Sequence, residues 1–215
     1  MEQPFPPTTA METLPSMETV QEALHALYHN SDVSGKEKAS VWLGELQRSV
    51  YAWSISDQLL QQQKDTESCY FAAQTMRTKI QFSFAELPAS SYMSLRDSLI
   101  DHISKADPET NSAITTQLCL ALADLVLQIP TWHGAPQELI AKFGNEDRHL
   151  PALLEMLLVL PEEVNSRSLR LGANRLGLAM KIHRPYRFSM KSMSYSVSGW
   201  TNLFTRNEPR HLTLH

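Results

Sequence analysis

Apolar residues recur along this chain in steps of three, one, three and four. Ala39, Trp42, Leu43, Leu46 and Val50 show the rhythm first, and Cys69, Ala72, Ala73, Met76 and Ile80 repeat it position for position. Leu118, Ala121, Leu122, Leu125 and Ile129 give it again, followed by a shorter run of Leu150, Leu153, Leu154 and Leu157. At 3.6 residues per turn these steps line one face of an α-helix, and no stretch alternates with the period of two that a half-buried strand requires. Faces this wide cannot be covered within one helix, so each predicts a neighbour.

The intervening sequence supplies those neighbours. Residues 1–16 carry Pro4, Pro6, Pro7 and Pro15 and predict a disordered arm. Val20, Ala23, Leu24 and Leu27 predict a first helix from Met17 to about Asn30. Ser34 three residues before Glu37 reads as a capping box, opening a second helix that reaches about Tyr51. Helices over Trp53–Gln63, Glu67–Phe84 and Tyr92–Lys105 follow, then one carrying the Leu118 stripe and stopped at Pro130. A short helix over Pro136–Phe143 precedes the last stripe, where Pro151 fits the first turn and Pro161 is expected to close the helix. Every stripe therefore follows another helix. Helix pairs recurring at roughly 30 to 50 residues predict an all-α fold, an α-α superhelix of HEAT or armadillo-like type with about four pairs. A compact helical bundle is the alternative that spacing leaves open.

Charge divides the chain near residue 175. Met1 to Asn174 holds 12 Lys and Arg against 22 Asp and Glu, or −10, whereas Arg175 to His215 holds seven bases against Glu208, or +6. With no sustained period after Arg167, residues 176–215 read as a basic, disordered tail behind a helical domain over 17–175. The 215 residues, 42% hydrophobic, are enough for a core. Asp124 and Gln128 interrupt the longest apolar run, Leu118 to Ile129, which argues against a membrane span. No basic region followed by an apolar run opens the chain, and Cys69 and Cys119 both sit on helical stripes. They read as reduced core thiols of an intracellular protein.

Signals of chemistry fail on inspection. His25 and His29 have a metal-compatible spacing, but residue 26 is Ala where a zinc protease motif needs Glu, and no third ligand follows. Gly172 to Gly177 lacks the Lys and the preceding strand of a phosphate loop. Glu162 and Glu163 suit a helix start after Pro161 and need no catalytic role. We expect no catalytic residue, no metal and no cofactor, and an acidic body that repels nucleic acid. Spacing leads to a non-enzymatic scaffold that grips another protein.

Two runs carry a resemblance. WLGELQRSVYAWSISDQLL followed by ESCYFAAQTMRTKIQ resembles the N-terminal domain of the importin-β superfamily, with its Leu-x-x-Leu-Gln-x-Ser-x-x-Ala-Trp and Phe-Ala-Ala-Gln-x-x-Lys/Arg-x-Lys-Ile signatures. ALYHNSDVSGKEKASVWLGELQRS, ELP before SLRDSLI, TTQLCLALADLVLQIPTW and LLEMLLVLPEEVNSRSLRLGANR narrow the likeness to the transportins that import serine/arginine-rich splicing factors. The likeness covers about Val20 to Arg175. It implies a HEAT-repeat nuclear import receptor found in cytoplasm and nucleus, whose N-terminal repeats receive the small GTPase Ran in its GTP form. Splicing-factor cargo binds further along such receptors, and nucleoporins are further partners. It also implies that the second helix of each pair lines the inner surface. By position on those helices, Glu37, Arg48, Gln74, Arg77, Thr78, Gln81, Asp124 and Glu155 become candidate Ran contacts. After GANR the sequence departs from the family, which predicts a truncated product such as an alternative transcript, without the cargo-binding arch. Its last helix pair is expected to expose apolar surface from the Leu150–Leu160 stripe. The competing expectations are a splice by-product with little transport activity and a generic helical scaffold.

Overall fold

A computed structural model describes residues 11, 13–106, 109–129 and 131–165, with side chains to residue 160. The expected N-terminal arm falls mostly outside these residues, and the basic tail over 176–215 entirely outside. Eight α-helices occur among the described residues: α1 (Met17–His29), α2 (Val33–Arg48), α3 (Ala52–Gln62), α4 (Thr66–Phe82), α5 (Tyr92–Lys105), α6 (Ser112–Gln128), α7 (Ala135–Phe143) and α8 (Leu150–Asn165). No described residue is in a strand.

Local chemistry explains most boundaries. Ser16 accepts from the Thr19 amide at the start of α1, and Asp65 accepts from the Ser68 amide at the start of α4. Asn111 does the same for α6 through Ala113. Each cap satisfies an amide that the first turn leaves without a helical partner. Gln63 takes φ 47 at the end of α3, a left-handed stop, and Gly134 takes φ 75 just before α7, a conformation that favours glycine.

Several expected details differ. The cap of α2 is Asp32, whose carboxylate accepts from the amides of Ser34 and Gly35; the Ser34–Glu37 box is not what starts the helix. An aspartate two residues upstream offers two acceptor oxygens to the same orphan amides, so the helix begins at Val33. Val50, assigned to the first stripe, lies beyond the end of α2 and is 60% exposed. Pro161 does not close α8, which continues to Asn165. Proline removes one donor from the ladder without forcing a stop when the helix is held on both sides of it. In the last stripe Leu153 and Leu157 are buried, but Leu150 and Leu154 are exposed. The core face of α8 is instead built from Ala152, Leu153, Met156, Leu157, Val159 and Leu160.

The helices stack as pairs in two layers. α1 packs on α2, α3 on α4, α5 on α6 and α7 on α8. Of the second helices, α4, α6 and α8 form a closely packed ladder with α6 at its centre. Small buried residues, Ala72 and Ala73 on α4 and Ala121 and Ala123 on α6, leave room for that approach. Every residue from Ala121 to Ile129 is buried, so α6 has no solvent face over its C-terminal half. The first helices touch one another less and are joined chiefly by polar bridges. Gln21 on α1 accepts from Lys64 and donates to Gln62 at the end of α3. Asp57 on α3 accepts from Ser98 on α5 and lies 2.9 Å from Nε2 of His102. Arg96 on α5 lies 3.7 Å from Glu138 on α7 and 5.5 Å from the centre of the Trp132 ring, whose Nε1 donates to the same Glu138.

Candidate functional site

Among the described residues, the surface of the second-helix layer that gathers several sequence-predicted residues runs along α2 and α4. Glu37, Val41 and Arg48 share one exposed row on α2, because steps of four and seven return to nearly the same angle. Gln74 and Thr78 form the matching exposed row on α4, with the half-buried Tyr70 one turn before them. Gln47 on α2 donates to Thr75 Oγ1 on α4 at 2.8 Å and ties the two helices together beneath these rows.

The other candidates are placed differently, and two of them, Asp124 and Gln81, are buried, which corrects the surface placement that angle predicts. Asp124 is 0% exposed, and the half-buried Arg77 side chain reaches its carboxylate at 3.4 Å. The pair spans α4 and α6 and belongs to their packing. Gln81 is also buried. These residues were placed by angle on the helix, and angle alone does not reveal that the C-terminal halves of α4 and α6 close against each other. The signal was present in α6: a run as apolar as LCLALADLVLQ is buried all round, its polar members included. Glu155 is half-buried away from the α2–α4 rows. It lines a cavity of about 450 Å³ with Thr115, Thr116 and Arg148 between the α5–α6 turn and the start of α8.

Two polar clusters that sequence reasoning missed join neighbouring helices. Lys79 on α4 is 1% exposed; its ammonium donates to the Ser49 carbonyl at 3.0 Å and to Glu86 at 2.5 Å, and lies 5.5 Å from the centre of the Trp53 ring. Trp53 Nε1 donates to the same Glu86 oxygen at 3.1 Å. A buried ammonium needs this satisfaction, since an uncompensated charge in the core is costly.

Ser98, His102 and Asp57 form the second cluster and bring together the residue types of a hydrolytic triad. Their geometry does not support that chemistry. Both Ser98 Oγ, at 3.2 Å, and Asp57 Oδ1, at 2.9 Å, face the same imidazole nitrogen, Nε2. The ring therefore cannot take a proton on one nitrogen while an acid orients the other. Nδ1 is buried without a hydrogen-bond partner. The His102 hydrogen bond, and behind it the Ser98 hydroxyl, hold the Asp57 carboxyl below its usual range against burial, which would raise it.

The thiols are equally unsuited to chemistry. Both are free and buried, and burial pushes Cys119 up to about 12. Among the described residues no group of three or more His, Cys, Asp or Glu could hold a metal ion, and no helix is long and apolar enough to cross a membrane. What the α2–α4 surface offers is two exposed rows, Glu37 and Arg48 on one helix and Gln74 and Thr78 on the other, linked by the Gln47–Thr75 hydrogen bond.

The chain matches two family models, the importin-β N-terminal domain over residues 39–105 and exportin 1-like protein over residues 111–182. The first match spans α2 to α5, which includes most of the two exposed rows. Human importin-13 is 35% identical over 177 residues, covering 77% of this chain and 18% of its own length. Transportin MOS14 of Arabidopsis thaliana is 34% identical over 152 residues, covering 67% of this chain and 15% of its own length. The chain thus spans less than a fifth of the curated relatives it matches.

Proposed function

The chain belongs to the importin-β superfamily, and from that premise we propose that it acts as the N-terminal part of a nuclear transport receptor, binding Ran in its GTP form through the exposed rows of α2 and α4. The observation that carries this reading is a coincidence of place. The importin-β N-terminal match over 39–105 falls on the two helices that carry the exposed rows and that Gln47 and Thr75 link by a hydrogen bond. Glu37, Arg48, Gln74 and Thr78 are the residues available for the contact. Asp124 and Arg77 act beneath it by holding α4 against α6, so their substitution changes binding through the shape of the surface. The longer sequence runs quoted above favour the transportin-3 type within the family.

Binding of the full chain to Ran loaded with a non-hydrolysable GTP analogue, compared with Ran–GDP, tests the reading. A complex with the GTP form alone is expected, and equal or absent binding to both forms overturns it. Arg48→Glu should weaken the complex at least about tenfold, equivalent to ~1.4 kcal/mol, with the helical circular dichroism unchanged.

A further inference from the structure

The side of α8 away from the core presents Leu150, Leu154 and Leu158, which are 36%, 50% and 51% exposed. Spaced four apart, they form one continuous apolar row. A row of three leucines open to water at the end of a helical stack is the kind of surface that a neighbouring element covers. We propose that the chain covers this row itself, with residues 166–182 docking on it in cis through Leu169, Ala173, Leu176 and Met180.

Four observations select this occupant over a second copy. The exportin 1-like match does not stop with α8 at Asn165 but continues to residue 182, so this segment belongs to the same matched unit as α6 to α8. Leu169, Ala173, Leu176 and Met180 are separated by four, three and four, an apolar row at helical spacing that is confined to this short stretch and is not sustained further along the chain. Charge favours the approach: residues 166–182 carry Arg167, Arg170, Arg175 and Lys181 and no acid, whereas residues 1–165 hold 10 Lys and Arg against 22 Asp and Glu, or −12. Finally, the segment is tethered at the end of α8, which gives it an effective concentration of order millimolar, far above a second copy at micromolar protein. This inference does not depend on Ran binding.

Disulfide trapping in the full chain tests it. Leu154→Cys is paired in turn with Leu169→Cys, Ala173→Cys, Leu176→Cys and Met180→Cys, and with Ser192→Cys as a control further along the chain. Cys69 and Cys119 are buried and do not compete. At low micromolar protein we expect an intramolecular disulfide in at least one docking pair, formed at least tenfold faster than in the control pair. Intermolecular disulfides as the main product mean that a second copy fills the row, and trapping of every pair at the control rate means that nothing in 166–182 reaches it; either result overturns the proposal. A second measurement needs no cysteines: L169D/L176D in the full chain should raise the fluorescence of a hydrophobic dye several-fold, with helical circular dichroism retained. Dye fluorescence equal to that of the unsubstituted chain also overturns the proposal.

Discussion

Lys79 shows how a single residue can join elements that apolar packing alone would leave loose. Its ammonium links α4 to the carbonyl of Ser49 after α2, to Glu86 after α4 and to the face of Trp53 on α3. Glu86→Ala is expected to cost about 1–3 kcal/mol, because it leaves that buried charge without its carboxylate. Lys79→Met should cost less than Glu86→Ala, since it removes the charge together with the need for a partner; urea denaturation of the two variants compares them. Asp57 makes a pH-dependent contribution whose sign follows from its depressed pKa. A carboxyl held below its unfolded value of about 3.9 stabilises the fold at higher pH, and that stability is lost as pH falls through the folded pKa. The unsubstituted chain should therefore lose more stability between pH 5 and pH 3 than Asp57→Asn, as measured by urea midpoints at the two values. None of this was legible in the sequence. Ser98 and His102 lie one helical turn apart and Lys79 and Glu86 seven residues apart, but Asp57 and Trp53 join them only through packing between helices, and no local spacing links residues 33 or 45 positions apart.

At the scale of elements, the repeated stripes were legible because an amphipathic period survives whatever the helix packs against. Cys69, Ala72, Ala73, Met76 and Ile80 are all buried, as are Leu118, Ala121, Leu122, Leu125 and Ile129. The ends were less legible. Several residues near the start of α2 could cap it, and only geometry selects Asp32 over Ser34. Asp32→Ala should cost about 1 kcal/mol, and Ser34→Ala only a few tenths, in denaturant unfolding of each variant. The expected exposure of apolar surface on α8 is observed, although the residues that carry it, Leu150, Leu154 and Leu158, are partly those assigned to its core stripe. The two readings differ because leucines fill nearly every angle of this helix, and a period cannot separate its buried side from its open one.

Across the whole molecule, each pair rests on its neighbours through the α4–α6–α8 ladder, and disturbance should spread from the centre and stay confined at the end. Leu125→Ala, in the middle helix at full burial, is expected to cost about 2–5 kcal/mol. It should lower amide protection in α4 and α8 as well as in α6. Met156→Ala on α8 should lower protection in α7 and α8 and leave α1 to α4 as they were; native-state hydrogen exchange resolved by peptide distinguishes the two patterns. The family-level architecture was legible from recurrence alone, whereas the burial of Asp124 and Gln81 depends on how closely two helices approach. The buried alanines Ala72 and Ala73 on α4 are compatible with such an approach, but no periodicity in the sequence measures it.

The two layers of this stack also differ mechanically. Apolar side chains interlocked along α4, α6 and α8 resist sliding, since any shift opens voids or forces overlap. The bridges Gln21–Lys64 and Arg96–Glu138 on the opposite edge reach solvent and can exchange their bonds with water at little net cost, whereas Asp57 is held there by the buried His102. The stack is therefore a strip with one stiff edge and one compliant edge, and such a strip bends by opening or closing the compliant side. Ionic strength acts directly on the Arg96–Glu138 ion pair there, so added salt is expected to loosen the contact between α5 and α7 while leaving every helix intact.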